Sequence, residues 1–163
     1  MDIPKIKSLI GASDKAAELK SENYFLSSVM FILRSLSSPA HTATVNFYNK
    51  TRNELASFSL RENSLEFAGL SPPMKETEIM PLEIERTRLE ADDIMKKCGG
   101  KTDENSISRI VLVLRTSTNS KTENGPTWQA SIFLKNFQVV SVIFDAENGE
   151  EIASTKFNLS ANL

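Results

Sequence analysis

One cysteine, one histidine and one tryptophan occur in 163 residues. A lone Cys98 excludes any intrachain disulfide. With His41 as the single imidazole, a Ser-His-Asp or Cys-His site would have to run through it, and a zinc site lacks ligands. Charge of either sign is scarce in excess: 19 Lys and Arg against 21 Asp and Glu leave a formal −2. No basic stripe is present to neutralise a row of phosphates, so nucleic acid is not the expected partner. Long apolar runs are missing as well. The strongest, Val29-Met-Phe-Ile-Leu33, is too short to span a bilayer and meets Arg34 at once. The N-terminus, Met1-Asp-Ile-Pro-Lys-Ile-Lys7, lacks the layout of a signal peptide, so the expected location is cytoplasmic. A glycine-rich phosphate loop, a GxSxG elbow and an HExxH motif are all absent, and no cofactor or metal is expected.

What the chain does have is strand chemistry, densest in its last third. Trp128-Gln-Ala-Ser-Ile-Phe-Leu134, then Gln138-Val-Val-Ser-Val-Ile-Phe-Asp145, then Glu150 to Phe157 read as three strands. Ile107–Thr116, the most β-branched run, precedes them and is joined to them by a Ser/Thr/Asn/Gly loop at 117–125. In the first half, His41–Asn49 and Glu54–Arg61 alternate apolar and polar residues. Pairing Phe47 with Ala56, Val45 with Phe58 and Ala43 with Leu60 gathers their large side chains on one face. A Glu62-Asn63 turn then sets Leu60 against Leu65 and Phe58 against Phe67.

Two helices are expected. Ser13 is a natural N-cap with Asp14 in the first turn, and Leu19, Leu26, Val29, Met30, Leu33 and Leu36 largely follow helical spacing to Pro39. A second helix is expected from Pro81 to Cys98, ended by Gly99-Gly100. The fold class on this reading is α+β, with two helices packed on antiparallel β-meanders in tandem helix-plus-sheet halves. Its divisions are a tail at 1–12, a helix plus three-stranded meander at 13–70, a Pro72-Pro73 linker at 71–80, and a helix plus four strands at 81–163. One compact domain is the alternative.

The order helix, strand, long loop, Trp128-Gln-Ala-Ser-Ile132, then Val142-Ile-Phe-Asp145-Ala-Glu-Asn-Gly149-Glu150 resembles a PepSY-type, cystatin-like domain over about residues 82–155. The resemblance implies a helix on a small antiparallel sheet with a final Asp-x-x-x-Gly turn. It also implies an inhibitory or binding role and brings no catalytic residues with it.

Each chemical candidate has a structural reading beside it. Cys98 sits at a helix C-terminus, where the dipole raises a thiol pKa while Lys96 and Lys97 lower it. The stretch Asp145–Glu150 offers oxygens and a glycine but not the frame of a calcium loop, so a hairpin turn is expected. The acids and arginines of Glu83–Asp93 read as a solvated helix face, and Trp128 reads as core. A pocket enzyme or small-ligand carrier would have to use Tyr24, Tyr48 or Asp145. The favoured reading is a non-catalytic binding or regulatory module, with a homodimeric chaperone or adaptor as the rival.

Parity in the second half points to an interface. An odd loop around Phe137 places Leu134 opposite Val140, Ile132 opposite Val142 and Ala130 opposite Phe144. It joins Trp128 to the inner set and leaves Phe133, Val139 and Ile143 on the reverse face. Ile107–Thr116 adds either Val111 and Val113 or Ile110, Leu112 and Leu114. A face this apolar is rarely left wet in a monomer, so a protein partner or a second copy is expected to cover it.

Overall fold

The computed structural model describes residues 2–38, 42–74, 78–117 and 125–162. Its frame is one eight-stranded antiparallel sheet, with β1 Phe25–Leu33, β2 Thr42–Asn49, β3 Glu54–Arg61, β4 Ser64–Ser71, β5 Ile107–Thr116, β6 Pro126–Leu134, β7 Gln138–Asp145 and β8 Glu151–Asn158. The strand order is β4-β3-β2-β1-β5-β6-β7-β8. Three short helices accompany it: α1 Ile3–Ala12, α2 Asp14–Ser21 and α3 Ala91–Cys98. The expectation of two long helices laid on separate meanders is therefore wrong. The sheet dominates, and the two halves share it through the antiparallel β1–β5 pair, where Met30 meets Val113 and Phe31 meets Leu112.

The correction comes from residues 22–36. Their apolar side chains occupy both odd and even positions, which satisfies helical spacing and a two-sided strand alike. Helix α2 stops at Ser21, and Asn23 follows at φ 68, in the left-handed region that turns the chain out of the helix. From Phe25 the backbone is extended. Val29, Phe31 and Leu33 point into the core, while Met30 and Ile32 point away from it. A strand at the middle of a sheet pairs with neighbours on both edges, here β2 and β5, and it buries one set of its apolar side chains in the core while presenting the other on the opposite face.

Within 1–12, expected as a tail, Ile3–Ala12 forms α1 instead. Asp2 caps it by accepting from the Lys5 N–H at 2.8 Å, Pro4 lies in its first turn, and Ile3, Ile6 and Ile10 are buried. Ser13 caps α2 as expected, accepting from the Ala16 N–H at 3.2 Å. The second helix is confined to Ala91–Cys98. Ahead of it, residues 81–90 run irregularly, with one 3-10 turn at Ile84–Arg86.

All three helices cover one face. Their buried side chains join Val45, Phe47, Phe58, Leu112, Leu114, Trp128 and Ile132 in a single core. The expected β2–β3 register holds throughout, and Leu60 meets Leu65 and Phe58 meets Phe67 before a bulge at Ala68. The β6–β7 pairing differs by two residues: Ile132 meets Val140, Ala130 meets Val142 and Trp128 meets Phe144. A tight turn at Lys135–Phe137, with Phe137 at φ 62, brings the strands together earlier. A slip of two keeps every side chain on its expected face.

Candidate functional site

Among the described residues, none of α1 to α3 lies on the opposite face of the sheet, and it is the surface on which the five interface candidates stand. Across the strands it is organised in rows set by register. One row is polar: Ser57, Asn46, Ser28, Arg115, Thr127 and Asp145. Asn46 ties it together, donating to Ser28 Oγ at 3.0 Å and accepting from Ser57 Oγ at 2.7 Å. The next two rows hold the apolar centre. One runs Thr44, Met30, Val113, Gln129, Ile143; the other runs Ile32, Val111, Ser131, Ser141. A last row runs Arg109, Phe133, Val139, Phe157.

All five interface candidates stand on this face: Val111 and Val113 on β5, Phe133 on β6, Val139 and Ile143 on β7. Of the two sets offered by Ile107–Thr116, Ile110, Leu112 and Leu114 are in the core. The five are not equally available. Val139 is only 2% exposed. Phe133 is half-buried with the Arg109 guanidinium over its ring, 4.7 Å from the centroid. Sequence reasoning missed Met30 and Ile32, the latter 38% exposed, because β1 was read as helix. No alternation could have signalled the strand, because all five residues from Val29 to Leu33 are apolar.

The other candidates are engaged structurally. Tyr24 donates its hydroxyl to Glu54, and that bond, ahead of burial, raises the phenol pKa. Tyr48 packs edge-on against Phe25 with centroids 5.6 Å apart and donates to Asn53 Oδ1 at 2.9 Å. Asp145 Oδ1 accepts from the Glu147 and Asn148 N–H groups at 2.7 and 3.2 Å, closing the turn before β8. Gly149 sits in that turn at φ 78, where an added Cβ would come within 2.8 Å of Leu89 Cδ2. Arg86 holds the same turn from the side through a paired contact with Glu147 at 2.7 and 3.1 Å, which lowers the Glu147 pKa. The Asp-x-x-x-Gly segment thus seats α3 against the sheet. Trp128 is fully buried, and its Nε1–H donates to the Leu89 carbonyl at 3.0 Å.

Cys98 is fully buried at the end of α3. Burial, not the helix dipole, pushes its pKa up to about 11, with Lys101 opposing. Its thiolate fraction at pH 8 is then on the order of a hundredfold below that of a free thiol. Native protein is expected to react with a thiol reagent at least that much more slowly than protein in denaturant. A native rate within tenfold of the denatured one would show that the thiol is accessible. His41 lies outside the described residues. Among the described residues no three His, Cys, Asp or Glu side chains form a group that could hold a metal ion, and no helix is long and apolar enough to cross a membrane.

At one end of the open face, the segment of residues 78–82 crosses over the strands. It is fixed where the Leu82 N–H donates to the Leu26 carbonyl at 2.8 Å and Thr116 Oγ1 donates to the Pro81 carbonyl at 2.7 Å. A cleft of about 280 Å³ lies between this segment and the strands.

No protein-family model matches the chain, and neither does any curated protein. Among solved structures, the fold is similar to that of a Clostridium difficile 630 protein described as a "putative lipoprotein", with a TM-score of 0.54 and 11% identity. The similarity covers 88% of this chain and 89% of the other, so it takes in both halves of the sheet.

Proposed function

We propose that this protein is a non-catalytic binding module whose working surface is the uncovered face of its sheet, and that a second copy of the chain occupies that face. The observation that carries the reading is the apolar centre formed by Met30, Ile32, Val111 and Val113, bordered by Thr44 on β2 and by Gln129 and Ser131 on β6, with Ile143 beyond Gln129. An apolar centre with a polar rim is the anatomy of protein interfaces. The patch also straddles the β1–β5 pair, about which the two four-stranded halves are arranged in mirrored order. A patch near such an approximate two-fold suits an isologous contact, in which each residue meets its counterpart across the axis. Against catalysis stand the buried thiol of Cys98 and the structural engagement of Tyr24, Tyr48 and Asp145. The order α3, β5 to β8, with the Asp145–Gly149 turn before the last strand, supports the PepSY-type reading of the second half. The cytoplasmic location and the lipoprotein description of the similar structure are competing readings of where the module works, and fractionation of the source cells separates them.

Sedimentation at micromolar concentration is expected to show a dimer. Ile32→Asp places a charge in the middle of the patch and should weaken the dimer at least tenfold, about 1.4 kcal/mol, with little change in melting temperature. Phe133→Glu is expected to act more weakly, because Arg109 stands over that ring and would pair with the new carboxylate. A wild-type monomer at hundreds of micromolar would sink the self-association reading. If a different protein is then displaced by Ile32→Asp, the face is heterotypic.

A further inference from the structure

The cleft under the crossing segment combines two chemistries. Its walls are mostly apolar: Leu55 and Val113 rise from the sheet, and Ile79 and Met80 close it from the segment above. Two opposite charges share the lining, Arg115 and Glu78, and they form no ion pair with each other. Arg115 spends one donor on Gln129 Oε1, Nη2 to Oε1 2.8 Å, and has no carboxylate partner among the described residues. The rest of its five-donor fork remains for a ligand. Glu78 is exposed and also lacks a cationic partner among the described residues. Ser28 Oγ accepts from Asn46 Nδ2, which leaves its own O–H to donate towards the cleft.

A half-buried guanidinium favours an anion, and carboxylate is the group its planar fork fits best. An anion with a long apolar tail and no positive charge would bring nothing for Glu78. An apolar amine would leave Arg115 unanswered. A molecule carrying both charges on an apolar body satisfies the whole lining. The volume lies at the lower end of ligand pockets, which limits the occupant to a small one. We propose that this cleft binds a small zwitterion with an apolar body, an apolar amino acid or a short apolar peptide, its carboxylate at Arg115 and its ammonium at Glu78. The cleft shares Val113 with the patch of the proposed dimer, but its two charges, Arg115 and Glu78, lie outside that patch, so the cleft reading does not depend on self-association.

Calorimetric titration of the full chain with leucine, leucyl-leucine, 4-methylpentanoate and 3-methylbutylamine tests it. At least one of the first two is expected to bind, with the acid and the amine at least tenfold weaker; which zwitterion is tighter tells free amino acid from peptide. Arg115→Gln should bring the amine level with the zwitterion, and Glu78→Gln should bring the acid level with it. Glu78 is exposed and has no cationic partner among the described residues, so its variant reads the site even if Arg115→Gln disturbs the sheet. No binding at millimolar concentration overturns the proposal. Equal binding of all four ligands does so as well, since it marks a merely apolar cavity.

Discussion

Trp128→Ala is expected to cost roughly 3–5 kcal/mol, the largest single loss available in the chain. The indole is fully buried on β6, beside Phe31 of β1 with ring centroids 5.9 Å apart, and its N–H holds the Leu89 carbonyl. Three parts of the fold therefore meet on it: the strand by which the first half joins the second, the sheet of the second half, and the chain entering α3. Truncation opens a cavity that rigid strands on both sides cannot collapse, and it leaves a buried carbonyl without its donor. For a chain of this size the melting temperature should fall on the order of 10 °C. Trp128→Phe keeps an aromatic ring and loses the hydrogen bond, so it should fall in between. Denaturant titration decides, and a loss under about 1 kcal/mol for the alanine variant would mean the core is not organised around this side chain.

The second large effect concerns a segment that reads as a tail. Ile6→Ala should destabilise by about 2–5 kcal/mol, whereas the same change in an unstructured tail would move stability by no more than about 0.5 kcal/mol. Ile6 is fully buried, with Ile3 and Ile10 beside it on the same face of α1. The helix is also tied to the other half of the chain, because the Ile3 N–H donates to Glu90 Oε2 at 2.7 Å, and Lys7 pairs with Glu85. Removing residues 2–12 should therefore expose the core under α1 and loosen the approach to α3 as well. Hydrogen exchange would register that as lost protection in Ala91–Cys98. Unchanged protection there would confine the role of α1 to the first half.

These two sites mark where local pattern suffices and where it does not. The hairpin β2–β3 could be read directly, since Ala43, Val45 and Phe47 align with Leu60, Phe58 and Ala56 in one register only, and a slip of one would put them all in water. Ser13 as a cap and Trp128 as core were legible for the same reason: each is a local chemical preference that packing reinforces. The β6–β7 pairing was legible in its faces but not in its rung, because a shift of two leaves the alternation intact. At the open face, Phe133, Val139 and Ile143 were identifiable by elimination from the core set, whereas the choice between Val111 and Val113 and the set Ile110, Leu112 and Leu114 stayed open until the structure put the latter in the core. The shielding of Phe133 by Arg109 and the burial of Val139 were not, because both arise from neighbours on other strands.

By itself the sequence determined the strand-rich second half, the β2–β3 register, the turn at Asp145–Gly149 and the separation of an inner from an outer apolar set. Each follows from side-chain alternation or turn chemistry within about ten residues. Tertiary structure alone decided that Phe25–Leu33 is a strand, that Ile3–Ala12 is a helix, and that both halves form one sheet. Residues 25–33 carry apolar side chains at both parities, so helix and strand bury them equally well until a neighbour exists. That neighbour is β5, some eighty positions away in the chain, and its backbone pairing with β1 settles the choice. In the same way, Ile3, Ile6 and Ile10 acquire a reason to order only once the sheet beneath them is assembled, because an isolated helix of that length is marginal in water.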